Sequence, residues 1–344
     1  MSSLKTTALL LAAILLFGQP AFAAPRSTVD KSVVESLLEG PRVVNIVDDF
    51  LLFYDAAKGK TLRRQRRLWK QMVESKHQNY FDRAVYRNAD PAERRAMLNE
   101  FLIRVPFHVE AIRQFNQVFS DYFVEALVSF KYYRFREYRQ QHDIYLGLSL
   151  FGFDGSIRPL HNDLGIPDTL CLGAEVLADY TPEQIKVTIA HEFFHLYHFS
   201  FLFQHPSLSE IRSAHMALMI EGMAVAGTEE AIPFKERPLY LHFSDEDFLA
   251  QTEALSYSSE RYLALVRGDA PPAEYEKWFT NEAWDRVPPR GGYLLGYELT
   301  RRIMAIFTLE QMVRMTPAEL REHAEEQLSA MAGEQVLLMA EVDD

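Results

Sequence analysis

For most of its length the chain places apolar residues at mixed spacings of three and four, the period of packed helices. Leu62 to Tyr80 and Pro106 to Arg139 follow this pattern, so the chain before residue 140 reads as helical. Three helix starts share one device: Asp90-Pro91-Ala92-Glu93, Thr181-Pro182-Glu183-Gln184 and Thr316-Pro317-Ala318-Glu319. Each supplies a capping oxygen, a proline where a missing N–H costs nothing, and a Glu or Gln that reaches back to the cap. Between Asp143 and Phe151 the pattern changes. Ile144, Tyr145, Leu146, Leu148, Leu150 and Phe151 predict a strand, and Phe153-Asp154-Gly155-Ser156 a turn. Residues 157–168 are rich in Pro, Gly, Asn and Asp and read as loop, and Thr169 to Leu177 predicts a second strand. Beyond the helix that starts after Thr181, helical patterns cover Ser207 to Ala231, Asp245 to Arg267, Pro272 to Trp284, Gly292 to Phe307 and Pro317 to Met331. The fold class is therefore α+β and predominantly α-helical, with a small sheet just before the Thr181 helix. No internal repeat or low-complexity tract interrupts it.

The first residues do not belong to that pattern. Lys5 precedes an unbroken apolar run from Ala8 to Phe17, then Gly18-Gln19-Pro20 and Ala21-Phe22-Ala23. This is the layout of a secretory signal peptide, with cleavage after Ala23 or Ala24. The run is shorter than the roughly 20 residues a membrane span needs, and nothing later reads as a second span. The expectation is an exported protein, periplasmic or secreted. It divides into a signal peptide (1–23), an N-terminal helical region (24–140), a core (141–231) and a C-terminal helical region (232–344). With 48% hydrophobic and 24% charged residues the remainder suits a folded globule. A net charge of −12 argues against nucleic acid as the main partner. The single cysteine, Cys171, excludes an internal disulfide and a thiolate metal set, and fits a bacterial envelope. The run Lys58 to Lys70 carries seven basic residues and no acid. It reads as a solvated helix face, or as a contact for an anionic surface.

The chemistry lies on the Thr181 helix, in Ala190-His191-Glu192-Phe193-Phe194-His195. Residues four apart share a helix face, so both imidazoles can reach one ion. Glu192, beside the first of them, can take a proton from water activated by that ion. Zinc lowers the pKa of its water from about 15.7 to about 7. Ile185, Ile189, Leu196 and Phe199 give the helix an apolar stripe to hold it in place. Two imidazoles leave a catalytic zinc site one protein ligand short. Glu221, inside the apolar stretch Met216 to Ala226, is the candidate third, because a carboxylate there is costly unless paired or metal-bound. Pairing with Arg212 is the structural alternative, and Glu229 and Glu230 are rival ligands near the helix end. Gly222 would let two helices approach closely. His198, His205 and His215 lie near the site in sequence, His198 reading as a helix-surface residue, and Cys171 reads as a buried thiol on the second strand.

His191-Glu192-x-x-His195 followed by Glu221-Gly222-x-Ala224 resembles the gluzincins, zinc peptidases whose third ligand is a Glu on a following helix. The Glu-Gly-x-Ala piece looks most like the aminopeptidase N branch. Gly292-Tyr293-Leu294-Leu295-Gly296 resembles that branch's Tyr-x-x-Gly segment. The resemblance implies a zincin-like core and one Zn2+ held by His191, His195 and Glu221. It makes Glu192 the general base and Tyr293 the oxyanion donor, with Tyr297 as the alternative donor, and a peptide or protein as substrate. It also implies that the strand before the metal helix pairs with extended substrate. Two features depart from the family: the gap from His195 to Glu221 is longer, and the Gly-x-Met-Glu-Asn signature is missing, Gly173-Ala174-Glu175 being a faint echo. The alternative function is a catalytically inactive, peptidase-like binding protein of the envelope.

Overall fold

The computed structural model describes residues 42–135, 143–204 and 208–340. The expected signal peptide lies outside them. Among the described residues no helix is long and apolar enough to cross a membrane. The chain is predominantly helical around one small sheet, as the apolar periodicity requires.

Strand β1 (Val43–Asn45) leads into α1 (Val47–Ala57), α2 (Leu62–Trp69), α3 (Pro91–Arg104) and α4 (Val109–Val128). Their apolar faces close around Trp69, which meets Phe50, Phe53, Phe81 and Phe101 edge-on or tilted. Of the basic run across α2 and its flanks, only Arg66 is part-buried, donating to Asn99 at 2.8 Å, and the other six cations are exposed. This is a solvated face.

The sheet follows: β2 (Ile144–Gly147), β3 (Gly155–Arg158) and β4 (Thr169–Gly173), in the order β1-β2-β4-β3. β1, β2 and β4 are parallel, and β3 runs antiparallel to β4. Three expectations are corrected here. The strand predicted to run to Phe151 stops at Gly147. Leu150 and Phe151 both take left-handed backbone (φ 56° and 62°), which turns the chain out of the sheet. The stretch read as turn and loop from Phe153 contains β3, where only Ile157 is buried, so alternation is too short to see. The strand predicted over Thr169 to Leu177 ends at Gly173, where a helical turn, Ala174–Leu177, begins. Moreover β4 is interior, with all five residues buried between β2 and β3. The edge on the metal-helix side is β3.

Helix α5 (Pro182–Leu202) starts at Thr181 with the expected reciprocal cap: the Gln184 N–H reaches Thr181 Oγ1 at 3.3 Å and the Thr181 N–H reaches Gln184 Oε1 at 2.9 Å. The Asp90 and Thr316 caps form in the same way. The pattern over Ser207 to Ala231 resolves into a turn, Leu208–Ile211, and α6 (Ala214–Ala231), broken at Arg212-Ser213. That over Asp245 to Arg267 breaks at Ala254 into α7 (Asp245–Glu253) and α8 (Leu255–Arg267). Pro272 to Trp284 yields only short turns, Pro272–Tyr275 and Glu276–Phe279. Helices α9 (Gly291–Ile303) and α10 (Pro317–Ala340) complete the fold. α5 packs on α4, on α6 and on β3, and α6 packs most extensively on α9. A continuous apolar core runs from Ile46 to Met331 through these layers.

Candidate metal centre

Helix α5 presents His191 and His195 on one face, one turn apart, their rings edge-on with centroids 4.6 Å apart. Glu221 arrives from α6. His191 Nε2 lies 3.3 Å and His195 Nε2 3.5 Å from the same oxygen, Glu221 Oε2. The three side chains offer ligand atoms that all lie within 4.8 Å of one another. Glu221 therefore pairs with the imidazoles and not with Arg212. Burial pushes its carboxyl up, but the imidazoles outweigh that and hold it well below the usual carboxylate range. His191 is lowered, chiefly by burial, whereas His195 is raised because Glu221 outweighs its burial.

Two close approaches set this geometry. A Cβ on Gly222 would land on the Gly296 carbonyl, so α6 and α9 meet at backbone contact one residue from Glu221. Likewise Gly227 leaves room for the Phe194 ring of α5. A third glycine acts on the base: a Cβ on Gly155 of β3 would stand 2.7 Å from Glu192 Cγ. Glu192 thus lies against the edge strand, buried, with Oε2 free of hydrogen bonds among the described residues. Burial pushes its carboxyl up to about 8.

These side chains line a cleft of about 280 Å³, as do Tyr293 of α9 and Asp154, Gly155, Ser156 and Ile157 of the β3 edge. Burial raises the Tyr293 phenol far above its ordinary range, with Glu221 adding to the effect, so its hydroxyl keeps its proton. Tyr297, the alternative donor, faces elsewhere: its hydroxyl donates to Glu229 Oε2 at 2.6 Å, amid Val187, Val225 and Leu294. That bond also takes Glu229 away from the cluster. Glu175 does not line the cleft either: its Oε1 accepts from Ser149 Oγ at 2.9 Å and from the Phe151 N–H at 2.8 Å. Cys171 is buried within β4. His198 is not on the helix surface: it is buried against Phe194 and Phe199. His215 is tied to the Pro317 carbonyl at 3.0 Å, and His205 lies outside the described residues.

Three lining residues carry no spacing that sequence reading could use: Asp154, His242 and Arg290. Asp154 accepts from the Tyr180 hydroxyl at 2.9 Å. Thr188 Oγ1 donates to the Gln184 carbonyl at 3.0 Å and so accepts from His242 Nε2–H at 3.1 Å. This leaves His242 Nδ1 as a buried acceptor with no partner among the described residues. His242 and Arg290 both have left-handed backbone (φ 54° and 60°), each at a helix terminus.

The donor set suits zinc: two imidazoles and one carboxylate, converging in a half-buried site, are ligands that ion takes. The comparisons agree at that level. Residues 158–322, from the end of β3 into α10, match a family described as "Predicted Zn-dependent protease (DUF2268)". No curated protein and no solved structure matches the chain.

Proposed function

We propose that this protein is a zinc-dependent peptidase of the gluzincin type, with His191, His195 and Glu221 holding one ion. The observation that carries the reading is the meeting, in one cleft, of those three ligands with a buried carboxyl, Glu192, and a protonated phenol, Tyr293. Bound there, zinc would act as a Lewis acid and make water a competent nucleophile near neutral pH. Glu192, buried beside the three ligands in the cleft, accepts the proton of the attacking water and returns it to the leaving amine. Tyr293 donates a hydrogen bond to the oxygen that becomes negative as the carbonyl is attacked. The free edge of β3 pairs with the backbone of an extended peptide and lays the bond to be cut along the cleft. The opening apolar run, Ala8 to Phe17, supports export, so the peptidase works outside the cytoplasm.

The test is Glu192→Gln, which keeps the size of the side chain and removes its basicity. The variant retains one zinc per chain and loses about 10²–10⁴ in cleavage rate. Cleavage at the wild-type rate would overturn the mechanism. Stoichiometric zinc in a wild-type protein that cleaves no member of a broad peptide set would favour the inactive binding protein instead.

A further inference from the structure

Beside the cleft lies a second, larger cavity of about 660 Å³, a size within the range of about 300–1,000 Å³ typical of ligand sites. The two share Pro167, Phe199, Glu221 and Tyr293, so a residue next to the reacting bond reaches the larger cavity without leaving the cleft. Its walls are apolar, with Leu164 left 73% exposed at the surface. They also carry three arginines, Arg87, Arg158 and Arg212, against a single acid besides Glu221, Glu276.

Such a concentration of positive charge stands out in a chain of net charge −12. Several arginines elsewhere have acids of their own, as Arg83 has Asp163, Arg94 has Asp82 and Arg321 has Asp269. Among the described residues, no carboxylate lies within ion-pair distance of Arg87, Arg158 or Arg212. Arg158 leaves the edge strand β3 over the Phe153 ring, 4.9 Å from its centroid, and its Nε is buried without a hydrogen-bond partner among the described residues. Burial weakens its hold on its proton and the charge of Arg87 weakens it further, with Glu192 acting in the opposite sense. Forked donors with no carboxylate in ion-pair reach leave room for an anion, and a guanidinium fits a carboxylate through two parallel hydrogen bonds.

Building on the peptidase reading, we propose that this cavity is the specificity pocket for a substrate residue with an apolar body and a carboxylate, which Arg87, Arg158 and Arg212 receive beside the cleaved bond. The carboxylate is an Asp or Glu side chain or the free C-terminus of the peptide.

The test measures binding, so that it does not depend on turnover. Full-length Glu192→Gln protein, loaded with zinc, is titrated by calorimetry with short apolar peptides. Each peptide carries Glu or Gln at stepped positions and a free or amidated C-terminus. One of the two acids should tighten binding about tenfold or more over its neutral partner, the gain expected of a charge-assisted bond. Which pair responds identifies the source of the carboxylate. The preference should shrink in Arg212→Met, an exposed position whose loss the fold tolerates, and partly return in Arg212→Lys. Arg158→Met, whose coupling to Glu192 is already removed in the Glu192→Gln background, gives a second reading. Equal binding of all four peptide types, binding of none, or an acid preference unchanged in both arginine variants would overturn the pocket. Peptide cleavage by wild type with no acid preference would overturn the pocket and leave the peptidase. An acid preference without any cleavage by wild type would uphold the pocket and overturn the peptidase.

Discussion

Gly222 and Gly296 face each other at the crossing of α6 and α9 with no side chain between them, and each would drive a Cβ into the other helix's backbone. This contact fixes two functional groups at once, because Glu221 precedes the first glycine and Tyr293 lies one turn before the second. Gly296→Ala would place its methyl about 2.5 Å from the Leu218 carbonyl, so the helices must part. Overpacking of this kind costs about 1–3 kcal/mol. The urea midpoint should fall accordingly, and zinc affinity should fall with it. A variant with wild-type stability and metal content would show that the crossing does not position the ligand.

The two tyrosines of α9 separate by function. Tyr293→Phe keeps the ring in the cleft and removes the donor, so kcat should drop about 10²–10³-fold with KM little changed. Tyr297→Phe removes only the bond to Glu229 and should cost about 1 kcal/mol of stability with activity retained. Steady-state kinetics and urea unfolding on both variants check this, and the reverse pattern would reassign the donor.

Metal should bind only the folded arrangement, since the ligands come from two helices. At a free zinc concentration 1,000 times the Kd, such binding adds about 4 kcal/mol to stability. A chelator should therefore lower the Tm, and added zinc should restore it. In Glu221→Ala the same chelator should change little, because the two imidazoles alone hold the ion weakly. A Tm in wild type that ignores both chelator and zinc would count against the site.

Much of this centre was legible because its determinants are local. The Thr181 cap and the spacing of His191 and His195 lie within 15 residues of chain, and Glu221 betrayed itself as a carboxylate in an apolar segment. What depended on distant partners was not. β4 is interior because β3 pairs along its other side, and the four residues of β3 are too few to show alternation. Asp154, His242 and Arg290 reach the cleft from turns, two of them through left-handed backbone that no spacing rule encodes. His198 looked like a surface residue because its helix has apolar residues on nearly every side. A helix buried all round has no polar face to contrast with.

Glu175 supplies a prediction outside the cleft. It is fully buried on the helical turn after β4, and burial pushes its carboxyl from 4.5 up to about 7 despite the bonds from Ser149 and Phe151. Between those pH values the folded chain keeps a proton that the unfolded chain has already released. Stability must then fall as pH rises: the contribution is intact below about 4.5, declines up to about 7, and is gone above it. At about 1.4 kcal/mol per unit, the loss is on the order of 3 kcal/mol. Gln at this position has the shape of the protonated acid and does not titrate. Urea unfolding of wild type and Glu175→Gln at pH 5 and pH 8 should show the variant gaining on wild type by about that amount between the two. Subtracting the two chains removes every other titration they share, so a constant difference across the range would mean that Glu175 is already charged when folded.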